Sequence, residues 1–162
     1  MIGLKSSKPW VHKLTPDAFG HESMRAALFT IIFTLTYATT AAQGEVNITV
    51  RNIRKITGSL MVGLFDSDRD FPKKAVVGKV VTVTGDSLTL IFKDLKPAWY
   101  AISVIHDENN NGKLDTNIFG IPKEGFGFGN NAIGRFGPPS FKNARICIDD
   151  HPVKTVLSLK YY

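Results

Sequence analysis

The chain has 162 residues, with 20 Lys and Arg against 14 Asp and Glu, for a formal charge of +6. Those basic residues are dispersed rather than clustered among aromatics, which argues against a nucleic-acid partner. The single cysteine, Cys147, rules out an internal disulfide framework, so stability has to come from core packing.

The first feature in chain order is residues 26–38, AALFTIIFTLTYA, an uncharged apolar run. Arg25 precedes it, and the small residues Thr39, Thr40, Ala41 and Ala42 follow. A basic start, a short apolar stretch and a small-residue cleavage site together predict a secretory signal peptide, cut near Ala42–Gln43. A membrane anchor would need ~20 apolar residues, and this run is shorter and rich in threonine. The expectation is therefore an exported protein with no stable membrane span after cleavage. Residues 1–23 are too long and mixed for a leader's basic end. They read as a mis-called extension, with Met24 as the true start. The mature chain, residues 43–162, is one domain's worth of sequence.

From there the pattern has period two. Val46, Ile48 and Val50 alternate with Asn47, Thr49 and Arg51, predicting a strand that ends near Ile53. Leu60, Val62 and Leu64 share one face of a second strand, and the polar residues 66–74 form a loop. Residues 76–84, rich in Val and Thr, make a third strand. Gly85-Asp86 signals a turn before a fourth, carrying Leu88, Leu90 and Phe92. Tyr100, Ile102 and Val104 share a face of the fifth. Residues 118–140 are a long stretch rich in glycine and proline. Residues 141–148 and 153–160 read as the last two strands, with His151-Pro152 in the turn between them. No segment of helical length has a 3.6-residue period. The prediction is an all-β fold, a seven-stranded antiparallel Greek-key sandwich, with a barrel as the alternative.

Residues 106–117, HDENNNGKLDTN, carry the clearest chemical signal. Asp107, Asn109, Asn111, Lys113 through its backbone carbonyl, and Asp115 stand at the spacing of a calcium-binding loop, with Gly112 at the sharp turn and Leu114 apolar behind it. The twelfth position is Ile118 where the pattern calls for a bidentate Glu. The missing oxygens would have to come from Asn117, from a distant acid such as Glu124, or from water. Two carboxylates predict low affinity, nearer the ~10⁻⁴–10⁻³ M of extracellular modules than that of cytosolic sensors. The same residues also read as a metal-free run of turns, because Asn, Asp and Gly form those most often.

Other candidates carry less. His106 sits at a strand end and is read as a hydrogen-bonded structural residue. Cys147 is read as a buried or half-buried strand residue, and His151 as an exposed turn residue. No G-x-S-x-G, H-E-x-x-H, phosphate-loop or dinucleotide fingerprint is present. The expected function is a non-enzymatic binding or structural module. Two rivals stand beside it. One is a carbohydrate- or envelope-binding module using Phe119, Phe126, Phe128, Phe136 and Phe141. The other is a hydrolase with a site near His106, which clustering of His106, Glu124 and Arg135 around one pocket would favour.

The block HDENNNGKLDTNIFGIPKEGFGFGNNAIGRFGPPSF resembles the signature of the exported bacterial domain-of-unknown-function family numbered 2141. The resemblance extends back through residues 60–65, Phe71-Pro72 and residues 95–102, departing at Ala98-Trp99, where the family looks more like Pro-Gly. It implies a periplasmic or extracellular location, as a cell-envelope component, and no particular activity. The Leu-x-Pro-x-x-Tyr pattern of Leu95, Pro97 and Tyr100 is similar to prealbumin-like and carboxypeptidase-regulatory-like sandwiches, which implies that fold.

Overall fold

The computed structural model describes residues 43–162. The signal segment read over residues 1–42, with its alternative start at Met24, lies outside the described residues. Eight strands follow in order: β1 (Gly44–Arg51), β2 (Ser59–Phe65), β3 (Val77–Thr82), β4 (Leu88–Leu95), β5 (Ala98–Asp107), β6 (Gly125–Phe128), β7 (Arg145–Ile148) and β8 (Val153–Ser158). They form two sheets. One is ordered β4-β1-β8; the other is ordered β3-β2-β5-β6, with β7 also paired to β5.

The strands follow from the alternation in the sequence. Val46, Ile48 and Val50 of β1 are fully buried while their neighbours are partly exposed. They meet Leu60, Val62 and Leu64 of β2 and Tyr100, Ile102 and Val104 of β5 across a single apolar core, joined by Phe92, Ile148 and Leu157. Burying these faces against each other, at ~25 cal/mol per Å² of apolar surface, is what holds the two sheets together.

The sequence reading is corrected in three places. The strands number eight, not seven, because residues 125–128, inside the glycine-rich stretch, pair with β5 at Ser103–His106. The sheets are not wholly antiparallel. β8 runs parallel to β1, from Val46↔Val153 to Arg51↔Ser158. The turn at His151-Pro152 therefore does not close a hairpin; it carries the chain from β7 in one sheet to β8 in the other. Finally, residues 141–144 form one short helical turn, α1 (Phe141–Ala144), in place of the start of a strand. The Ser140 side chain accepts from the Asn143 amide, a capping bond that favours the turn.

β5 organises the molecule. Its ten residues are paired with β2 along one edge, and with β7 and then β6 along the other. One face of β5 enters the main core. Ala101, on the other face, lies in a second small core with Phe65, Phe141 and Ala144, against which Phe71 and Phe128 pack. Phe71 sits edge-on to Phe65, Phe128 and Phe141 at centroid distances of 5.2, 5.9 and 6.3 Å. That geometry suits the ring quadrupole. The glycine–phenylalanine segment is thus partly a cover for the outer face of the larger sheet. Cys147, read as buried or half-buried, is instead exposed on β7 opposite Trp99, because Ile146 and Ile148 take the inward positions. No helix among the described residues is long and apolar enough to cross a membrane.

Candidate binding groove and acidic loop

The acidic loop begins at the last residue of β5. Asp107 is 1% exposed, and its carboxylate turns the chain: Oδ1 accepts the Asn111 amide at 3.0 Å and Oδ2 the Gly112 amide at 2.7 Å. Gly112 has φ +79°, a left-handed conformation that glycine adopts without steric cost. Asn109 Oδ1 accepts from the Asn111 amide, and Asn111 Oδ1 from that of Lys113, two successive side-chain turns. The other ends of both side chains converge. Asn109 Nδ2 and Asn111 Nδ2 donate to one oxygen of Asp115, at 2.8 and 3.0 Å. These two bonds, followed by the Lys113 and Lys123 charges, hold the Asp115 carboxyl below its ordinary range against slight desolvation. The structure therefore gathers Asp107, Asn109, Asn111 and Asp115 around one turn. Lys113 joins them through its amide, with an exposed side chain.

Ile118, at the twelfth position, is 93% exposed and plays no part in this network. The acid that does join the network is Glu124, which is 5% exposed and arrives from just before β6. Glu124 Oε1 accepts the Glu108 amide and Oε2 the Asp115 amide, each at 2.9 Å, so one carboxylate ties the two ends of the loop together. Asn117, the other candidate donor, spends its Oδ1 on the amides of Phe119 and Ile121, holding the next turn.

On the far side of the loop, Glu108 is clamped by Arg54 at 2.7 Å and Lys55 at 3.1 Å. Burial pushes the Glu108 carboxyl up, but the hydrogen bonds and charges of Lys55 and Arg54 outweigh it and leave it below its usual range. Arg54 also lies 4.4 Å above the Tyr161 ring. Nothing in the sequence pattern marks Arg54 for this role, since its partners lie more than fifty positions away.

His106 is fully buried, with Nδ1 2.9 Å from the Tyr161 hydroxyl and Nε2 2.9 Å from the Thr57 carbonyl. Burial raises the Tyr161 phenol above its usual range; the Glu108 charge adds to this, and the Arg54 amide and guanidinium oppose it. The ring of His106 is a structural tie, as expected from its place at a strand end.

A groove of about 570 Å³ opens beside this loop. β6 supplies Phe126 and Phe128, whose rings stand edge to face at 6.1 Å. One wall is the turn at residues 114–122, bringing Phe119; the other is residues 131–138, bringing Phe136. The C-terminal tail completes the groove. Lys160 pairs with Phe126 through two backbone bonds of 2.8 and 3.0 Å, which brings the Tyr162 ring to 5.7 Å from that of Phe126. Asn131 fixes the second wall, donating to the Val156 carbonyl at 3.3 Å and accepting the Ser158 amide at 2.7 Å.

The five phenylalanines of the sequence thus take different parts. Phe141 is in the second core, Phe126 and Phe128 are half-buried in the groove, and Phe119 and Phe136 stand exposed at its rim. His106 and Glu124 do not line the groove, whereas Arg135 does. The three residues that a hydrolytic site would have brought together are dispersed. Elsewhere, Asp149, Asp150 and His151 have ligand atoms within 4.8 Å of one another, but all three are exposed at the turn between β7 and β8.

The chain belongs to the family described as "Uncharacterized protein conserved in bacteria (DUF2141)", whose family model matches residues 48–156. That span runs from β1 into β8 and includes the acidic loop and most of the groove, in agreement with the resemblance read from the loop block. Searches of curated proteins and of solved structures returned no match.

Proposed function

We propose that this domain is an exported, non-enzymatic binding module that seats an apolar group of a cell-envelope ligand in the groove above β6. One observation carries the reading: Phe119, Phe126, Phe128, Phe136 and Tyr162 all line one open cavity. Its volume is in the ~300–1,000 Å³ range of small-ligand sites. The nearby groups capable of acid–base chemistry, His106 and Glu124, are held in hydrogen bonds to the backbone or to Tyr161 and are not among the residues lining that space. Export is supported by the sequence pattern of residues 25–42, a basic residue, a short apolar run and small residues, read as a signal peptide.

The test is saturable binding of an uncharged, environment-sensitive fluorescent dye to the purified protein. Phe119→Ser with Phe136→Ser removes two exposed rings and leaves both cores intact. Each ring buried against a ligand is worth about 1.5–3 kcal/mol, so the double variant is expected to weaken dye binding by tenfold or more. Unchanged binding in the variant, or none that saturates in the wild type, would sink the proposal.

A second reading concerns the acidic loop, which we propose as a low-affinity calcium clamp. It is favoured by the arrival of Glu124 as the acid that Ile118 does not supply. The donors are all hard oxygens, and a carboxylate oxygen that accepts one N–H has a further lone pair free for a cation. The donor chemistry fits. The Asn109 and Asn111 bonds to Asp115 are what a cation has to displace, which fits weak binding. A ligand that binds the native state raises the thermal midpoint by mass action. Millimolar calcium is expected to raise it in the wild type and not in the Asp107→Ala, Asp115→Ala double variant. Equal shifts in both proteins, or none in either, would remove calcium from the account.

A further inference from the structure

We infer that the occupant of the groove is a single-chain anionic amphiphile, with its apolar tail among the phenylalanines and its acidic head between Arg135 and Lys160; this rests on the binding reading above. Arg135 and Lys160 are the charged side chains among the lining residues, and no acidic side chain lines the groove with them. Neither forms an ion pair among the described residues. Elsewhere Arg54 and Lys55 are engaged on Glu108, Lys93 on Glu45, and Arg145 lies 4.5 Å above the Trp99 ring, while others such as Lys96 and Lys154 also form no ion pair among the described residues; what distinguishes Arg135 and Lys160 is their place in the groove. Two cations in a largely apolar concavity whose lining side chains include no Asp or Glu make a complement to one negative head.

The same lining argues against a sugar. Polar side chains in the groove are few, and both side-chain groups of Asn131 are already spent on the backbone of β8. Sugar hydroxyls entering this space would give up water for few side-chain partners, chiefly Thr116, Ser158, Tyr162 and the two cations, which is costly. An alkyl chain has no such cost. It would also cover Phe119, Ile121, Ile133 and Phe136, all lining residues that are now largely exposed. The concave floor formed by β6 suits a single chain better than a flat bilayer surface. Phe126 and Phe128 lie in the concavity rather than projecting from it.

The experiment is competition for the uncharged dye by decanoate and by decan-1-ol, both kept below any aggregation concentration. The two share a tail and differ in the head. Two exposed ion pairs together add a modest attraction, so decanoate is expected to compete about five- to tenfold better at low salt. That advantage should shrink at high salt as the charges are screened. In the Arg135→Gln, Lys160→Gln double variant it should disappear, while dye and decan-1-ol bind as before. Both side chains are exposed, so folding should be unaffected; an unchanged thermal midpoint checks this.

Equal competition by the two compounds would overturn the anionic head and leave the apolar groove standing. Absence of saturable dye binding would overturn both. Co-sedimentation with anionic phospholipid vesicles, without displacement of dye by monomeric decanoate, would overturn the single-chain ligand in favour of a membrane surface.

Discussion

Replacing Glu124 by alanine tests whether one carboxylate holds the acidic loop closed. The side chain is 5% exposed and accepts the Glu108 and Asp115 amides, each at 2.9 Å. Hydrogen bonds to a charged group contribute about 1.5–3 kcal/mol apiece, and an orphaned buried donor costs about 1–3 kcal/mol. Glu108 is partly buried and Asp115 partly open, so water can reach the freed amides and recover some of the loss. The expected destabilisation is about 3 kcal/mol, a fall of about 10 °C in midpoint for a domain of this size. Glu124→Gln keeps one carbonyl acceptor but turns an amide N–H₂ toward the second donor, so it should cost about half as much. Urea unfolding in the presence of chelator measures both, and amide hydrogen exchange at Glu108 and Asp115 locates the effect. If Glu124→Ala stays within about 0.5 kcal/mol of the wild type and those two amides exchange at unchanged rates, the clamp is not what closes the loop.

Two further predictions follow from the same region. The Asp115 and Glu108 carboxyls both lie below their ordinary range in the folded state, so the unfolded chain binds more protons in acid and stability rises with pH there. Their contribution is present above the unfolded carboxylate range near pH ~4 and is lost as pH falls through the lower folded values. Urea midpoints taken from about pH 6 to about pH 3 should fall steadily in the wild type and less in Asp115→Asn; a flat profile would contradict the assignment. Gly125→Ala should be destabilising by about 2 kcal/mol, because a Cβ there would stand against the Tyr161 ring, 2.7 Å from its hydroxyl oxygen, and moving the ring breaks its bond to His106. A thermal midpoint equal to that of the wild type would show that the ring has room to move.

Much of the architecture is local information. Alternation in residues 46–50, 60–64 and 100–104 reports which face of each strand is buried, and the observed burial follows it, because side-chain direction in a strand depends only on position along the chain. The loop at residues 107–115 is legible for a similar reason: its bonds join residues two to six positions apart. Strand partnership is not local in this way. Gly125-Phe126-Gly127-Phe128 looks like part of a flexible linker, and it becomes a strand only because the edge of β5 offers unpaired amides and carbonyls to it. Nor does anything in residues 153–158 reveal that they will lie parallel to β1, since that follows from the crossing between sheets after β7. Glu124 reaches the loop, Arg54 reaches Glu108, and Phe119, Phe136 and Tyr162 come to line one groove only when segments far apart in the chain are closed upon one another. The residue pattern therefore determines the all-β class, the inward faces and the oxygen-rich turn. Chain closure, whose outcome depends on which distant surfaces pack best, decides the strand order, the acid that completes the loop, and the groove.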